Sequence, residues 1–205
     1  MQRGALIGLC LVLCAAIAAA QETAESVRRP YRLGPLTAED FQAKPAEGAR
    51  FWAWTETDFD FSYRYRYQST KKQTVVTLTE AEVWSVVKRD KSWNRRLRDP
   101  LLLDHEQGHF DLAQIQALAA HARLQQAIKD KSLQGRAADK DAAVQSLEKN
   151  LRTVLQPFLD ASIASHRQYD DETSNGNDSA AQAIARRTQK ERLQALIMAA
   201  EKPVK

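Results

Sequence analysis

The sequence predicts an α+β fold, a small and mostly antiparallel sheet followed by long amphipathic helices, and two stretches carry that prediction. Within residues 50–93 the chain alternates, with Phe59, Phe61, Tyr63, Tyr65 and Tyr67 separated by polar residues. Period two is the pattern of a strand with one buried face. After Trp93 the signals turn helical, beginning with Asp99-Pro100, a capping residue followed by proline at the first helical position, where its missing N–H costs nothing.

The first twenty residues carry one charge, Arg3, followed by an apolar run that ends in Ala18-Ala19-Ala20 before Gln21. This reads as a secretory signal peptide cleaved after Ala20. Gln21-Glu22 ends the run early, whereas roughly twenty apolar residues are needed to span a bilayer. The expectation is therefore a periplasmic or secreted protein with no stable membrane insertion after cleavage. Both cysteines, Cys10 and Cys14, fall inside this segment, so no disulfide is expected to hold the remainder together.

Residues 21–48, with prolines at 30, 35 and 45, read as an extended entry segment with one turn at residues 37–41. The 205 residues suit one sizeable domain, placed at residues 49–200, with 201–205 as a tail. Two β-branched runs, residues 74–79 and 83–87, read as further short strands. Tyr63, Tyr65 and Tyr67 read as a packed sheet face, not as a ligand-stacking platform.

The first helix is expected from Pro100 to about Lys131. The second carries Val144, Leu147, Leu151, Val154, Leu155, Phe158 and Leu159 at helical spacing, and Pro157 is expected to kink it. Residues 169–178 read as a polar, acidic loop in which Asn175-Gly176 suits a helix end or a turn. A last helix, from about Ser179 to Ala200, carries Ile184, Leu193, Leu196 and Ile197.

Charge excludes more than it suggests. The formal net charge is +4, and removing Arg3 with the signal leaves +3. Basic groups such as Arg95-Arg96-Arg98 are interleaved with acids and accompany no binding motif, so they read as solvated surface and no nucleic-acid partner is expected. Nothing identifies an oligomer interface.

The chemistry concentrates in His105-Glu106-Gln107-Gly108-His109. Four residues apart on a helix, His105 and His109 project from one face, about 40° apart. Two imidazoles so placed can share one ion, and Glu106 at the flank reaches a water beside that ion without being a ligand. This is the HExxH arrangement of zinc hydrolases, in which zinc lowers the pKa of water to about seven and the glutamate takes its proton. Gly108, costly in a helix interior, points to a close approach by another part of the chain or by the ion site. His121 lies about 160° around the helix from His105 and is not expected to join them. A third protein ligand is needed. Residues 169–175 offer three carboxylates, with Glu172 the first candidate and Asp170, Asp171 and His166 behind it.

The string Leu102-Leu103-Asp104-His105-Glu106-Gln107-Gly108-His109-Phe110-Asp111, preceded by Ser92-Trp93 and the aromatic strands, resembles the bacterial secreted zinc-dependent proteases of the domain of unknown function 922 family. The resemblance covers about residues 36–187. It implies a zincin-like α+β domain, the small sheet packed on the HExxH helix, with His105 and His109 as zinc ligands and Glu106 as catalytic base toward a peptide or protein substrate. In proteases of this architecture an edge strand, here expected at residues 74–79, pairs with the extended substrate. The family pattern Tyr-Asp-x-x-Thr-x-His-Gly is matched by Tyr169, Asp170, Thr173 and Gly176, while Asn175 stands at the histidine position. That departure supports an alternative, an inactive metal-binding envelope scaffold or inhibitor that keeps the fold. A purely structural helical envelope protein is a further rival, and it predicts no bound zinc.

Overall fold

The computed structural model describes residues 27–200. The expected signal segment 1–20, the first residues of the entry segment and the tail 201–205 lie outside the described residues. The fold is α+β, with three long helices and small antiparallel sheets among the described residues. In chain order these are β1 Arg28–Pro30, β2 Ala53–Trp54, β3 Thr57–Ser69, β4 Thr74–Lys88, β5 Trp93–Asn94, α1 Pro100–Lys129, β6 Gln134–Ala137, α2 Lys140–Thr173 and α3 Ser179–Ala200.

β3 and β4 form a long hairpin ladder, from Thr57 opposite Val87 to Ser69 opposite Thr74. The register shifts where Arg64 faces Glu80 but Tyr65 faces Leu78, leaving Thr79 as the extra residue. A bulge of this kind inverts the facing of the strand. It brings Val76 and Leu78 on one side of it, and Ala81 and Val83 on the other, into the same core. The two β-branched runs are thus one strand, since Glu80-Ala81-Glu82 between them supplies no turn residue.

The expected edge at residues 74–79 is also corrected. Thr74–Thr77 pair with β6 as well as β3, and residues 86–88 pair with β1, so β4 is central. Among the described residues β3 is one margin of the sheet, with no strand on its outer side, and β1 and β6 form the other. The aromatic stripe is a packed face as far as Tyr65: Phe59 is buried, and Phe61, Tyr63 and Tyr65 lie against the same core, but Tyr67, expected to pack with them, is exposed.

Asp99 caps α1 by accepting from the Leu101 and Leu102 N–H groups, which satisfies two of the helix's orphan donors. Further along, Ala113, Ala117, Ala120, Leu124 and Ala127 are buried against the sheet, small side chains that allow close approach. Gln114 fixes the crossing, its Oε1 accepting from the Ser85 amide at 3.0 Å and the Ser85 hydroxyl at 2.9 Å.

Three elements differ from expectation. β6 follows α1 in a stretch without β-branched residues, held by its pairing to β4. α2 runs through Pro157 without a break and continues to Thr173, so residues 169–173 are helical and not loop. Tyr169 and Thr173, one turn apart, are both buried, and packing overrides the acidic residues between them. α3 has the expected bounds, but its buried face is Gln182, Arg186, Gln189 and Leu193, and Ile184 and Ile197 are exposed.

The entry segment contributes structure from Arg28 on. Fully buried Asp40 receives the guanidinium of Arg29 at 3.0 Å and that of Arg89 at 2.7 Å. Leu36 and Phe41 then pack with Val87 and Phe110 in a second apolar cluster. No described helix is long and apolar enough to cross a membrane.

Candidate metal centre

Two helices each contribute a pair of residues four apart: His105 and His109 from α1, His166 and Asp170 from α2. Residues so spaced share a helix face. The His105 and His109 Nε2 atoms both lie 3.1 Å from the same oxygen, Asp170 Oδ1. These three residues can hold a metal ion; one ligand atom from each falls within 4.8 Å of the others. The spacing is suitable. Nitrogen and oxygen ligands about 2.0–2.2 Å from a tetrahedrally bound ion stand roughly 3.3 Å apart.

Glu172, the first candidate for third ligand, is not in this group. On a continuous helix it lies about 200° around from Asp170. It is exposed and accepts from Gln168 Nε2 at 2.7 Å. Asp171 is exposed as well. The signal that would have singled out Asp170 was its four-residue spacing from His166, which counts only once α2 is known to extend that far. Asn175 lies in the left-handed turn after α2, with its amide N–H on the Asp170 carbonyl at 2.7 Å. It lines the cleft beside His105, His109 and Asp170. His121 stays apart, half-buried on α1, and burial lowers its pKa.

His166 sits behind His109 and does not join the three. Its Nδ1 is 3.1 Å from His109 Nδ1, and its Nε2 is 3.0 Å from Thr57 Oγ1 and 3.2 Å from Ser162 Oγ. Burial, with the neighbouring His109, pushes its pKa down to about 3. For His109 burial acts in the same direction, but the hydrogen bond to Asp170 and the Glu106 and Asp170 charges outweigh it and raise the pKa. Burial would raise the Asp170 pKa, and hydrogen bonds from the two imidazoles instead hold it well below the carboxylate range.

Glu106 is buried, and its Oε2 accepts from the Thr55 hydroxyl at 2.5 Å. Thr55 comes from the link between β2 and β3, so the sheet orients the carboxylate. Tyr169 stacks on His105 with ring centroids 4.7 Å apart. Two glycines make room for these rings. A Cβ on Gly108 would fall 2.5 Å from the Tyr169 hydroxyl, and one on Gly176, at φ +78°, 2.9 Å from His105 Cγ.

The chain matches no protein-family model, no curated protein and no solved structure.

Beyond the three converging groups, a cleft of about 820 Å³ opens. Trp52, Trp54, Phe59, Leu102 and Ile163 give it apolar walls, and Thr57–Phe59 of the outer β3 edge run along it. On the other side of α1, Arg186 holds Asp111 at 2.7 Å and Asp104 at 3.1 Å. Asp111 also accepts from the Tyr31 hydroxyl and from Gln107 Nε2, both at 2.7 Å. Gln107 in turn accepts from the Leu36 amide at 2.7 Å. The HExxH segment is thus braced on its outer face by the entry segment and by α3.

Proposed function

We propose that this chain is an exported zinc-dependent peptidase in which His105, His109 and Asp170 hold the metal and Glu106 is the general base. The observation that carries the reading is the convergence of the two Nε2 atoms on Asp170 Oδ1, with Glu106 lining the same cleft. Two imidazoles and one carboxylate form the donor set of a catalytic zinc with a position left open. Zinc so held supplies a Lewis acid that polarises a carbonyl and acidifies water near neutral pH. The export rests on the sequence of residues 1–20.

Thr55 occupies Glu106 Oε2, which leaves Oε1 to take a proton from the attacking water and return it to the departing amine. The outer β3 edge at Thr57–Phe59 replaces residues 74–79 as the strand that pairs with an extended substrate, which would displace the Asp58 and Arg28 side chains from the Phe59 N–H and carbonyl. The tryptophans of the cleft wall suit bulky apolar side chains. Exposed aromatic surface beside a cleft marks a binding site more often than scattered apolar residues do. The inactive-scaffold reading draws on Asn175, which lines the cleft where the resemblance expects a histidine.

Zinc content of the purified protein tests this directly, beside His109→Ala, Asp170→Asn and Glu172→Gln. Near one zinc per chain is expected in the wild type and in Glu172→Gln, and little in the other two. Peptide-library hydrolysis that disappears in Glu106→Gln, with zinc retained, separates the enzyme from the scaffold. Absence of metal from the wild type after zinc is supplied would end the peptidase reading.

A further inference from the structure

An imidazole can give one nitrogen to a cation while neutral only if the other nitrogen carries the proton. For His109 the nitrogen facing Asp170 is Nε2, so a cation bound there would require the proton on Nδ1. That Nδ1 lies 3.1 Å from His166 Nδ1, and a single hydrogen occupies the space between two nitrogens so placed. With the hydrogen on His109, His166 accepts at Nδ1 and carries its own proton on Nε2, beside Thr57 Oγ1 at 3.0 Å and Ser162 Oγ at 3.2 Å. Both hydroxyls can accept it.

The opposite arrangement also satisfies every atom. Thr57 or Ser162 then donates to His166 Nε2, His166 donates from Nδ1, and His109 is left with its proton on Nε2, where it blocks ligation. The two arrangements contain the same number of protons and differ only in tautomer. His105 has no such device, because its Nδ1 is buried without a partner.

We propose that His166 is a positioning residue that accepts a hydrogen bond from Nδ1 of His109 when a divalent cation takes Nε2, and so orients that ring as a ligand. This rests on the metal reading above. Outer partners of ligating histidines typically contribute about 10–100-fold in metal affinity, and here the partner is a second imidazole anchored by Thr57 on β3 and Ser162 one turn earlier on α2.

Zinc affinity by chelator competition, on the whole protein, supplies the first test. His166→Leu is expected to bind zinc about 10–100-fold more weakly, and His166→Asn, whose side-chain oxygen can accept from His109 Nδ1, to recover most of the loss. Nitrogen NMR of the zinc-loaded wild type supplies the second, which needs no variant to fold. It should show the proton on Nδ1 of His109 and on Nε2 of His166. Unchanged affinity in His166→Leu, or a proton on Nδ1 of His166 in the loaded protein, would overturn the proposal while leaving the metal site standing. A wild type that takes up no zinc would remove both.

Discussion

A Cβ placed on Gly108 would lie 2.5 Å from the Tyr169 hydroxyl and 2.6 Å from the ring carbon that bears it. α1 and α2 meet here because one of them lacks a side chain. Alanine would favour the helix by roughly 1 kcal/mol, but overpacking a filled site costs about 1–3 kcal/mol. Tyr169 has little room to yield, being 2% exposed and stacked on His105. Gly108→Ala is expected to lose about 0–2 kcal/mol net, toward the upper end because Tyr169 cannot yield. Tyr169→Leu in the same chain should restore part of it, a coupling that urea unfolding of the two single variants and the double can measure.

Thr55 and Glu106 form a buried pair at 2.5 Å that ties the carboxylate to the sheet. Thr55→Val keeps the shape and removes the donor, leaving both Glu106 oxygens free to turn. On the peptidase reading the variant should retain zinc and lose about 10-fold or more in kcat, less than the 10²–10⁴-fold expected for Glu106→Gln. Equal activity of Thr55→Val and wild type on one peptide would show that orientation by Thr55 is unimportant.

The sequence carried the strand-then-helix order and the His105, Glu106 and His109 geometry, because period, capping and four-residue spacing are local properties. It misplaced the carboxylate for an equally physical reason. Asp170, Asp171 and Glu172 look like solvated loop, and only the burial of Tyr169 and Thr173 on α2 keeps that turn helical. Once it is helical, Asp170 faces inward and Glu172 faces out. The error over residues 74–79 has the same origin, since pairing with β6 depends on a partner sixty residues away. Arg186 was likewise invisible as a core residue, because a buried arginine is recognised only by the acids that meet it.

Asp58 gives the molecule an acid-sensitive contact at the start of β3. Burial alone would raise its pKa, but the Lys88 ammonium at 2.8 Å, the Phe59 N–H and the Arg28 charge outweigh burial and lower it from 3.8. A carboxyl depressed in the folded state contributes stability that is complete above its unfolded value and is lost as pH falls through the folded one. Asp58→Asn should therefore be less stable than wild type at pH 7, and the gap should close below 3.8. Urea midpoints at pH 7 and at about pH 3 check this, and a gap independent of pH would assign the effect to packing instead.

Arg186 is the only link between α3 and the acidic pair on the outer face of the HExxH segment for which both ends are buried, at 4% and 5% side-chain exposure for Arg186 and Asp111. Removing one member of a buried ion pair costs more than the pair itself contributes, because the survivor stays desolvated and unpaired, with losses of about 3–5 kcal/mol. Asp111 would keep Tyr31 and Gln107 as donors, so Arg186→Met is expected near the lower end, about 3 kcal/mol. Adding Asp111→Asn should return part of that loss, since an amide needs no counter-charge. The same bracing predicts an effect at a distance. α1 holds His105 and His109 between Asp104 and Asp111, so loosening this face should weaken zinc retention without touching a ligand. Parallel unfolding and zinc-competition measurements on Arg186→Met separate the two: stability lost with zinc affinity intact would show that the brace serves the fold alone.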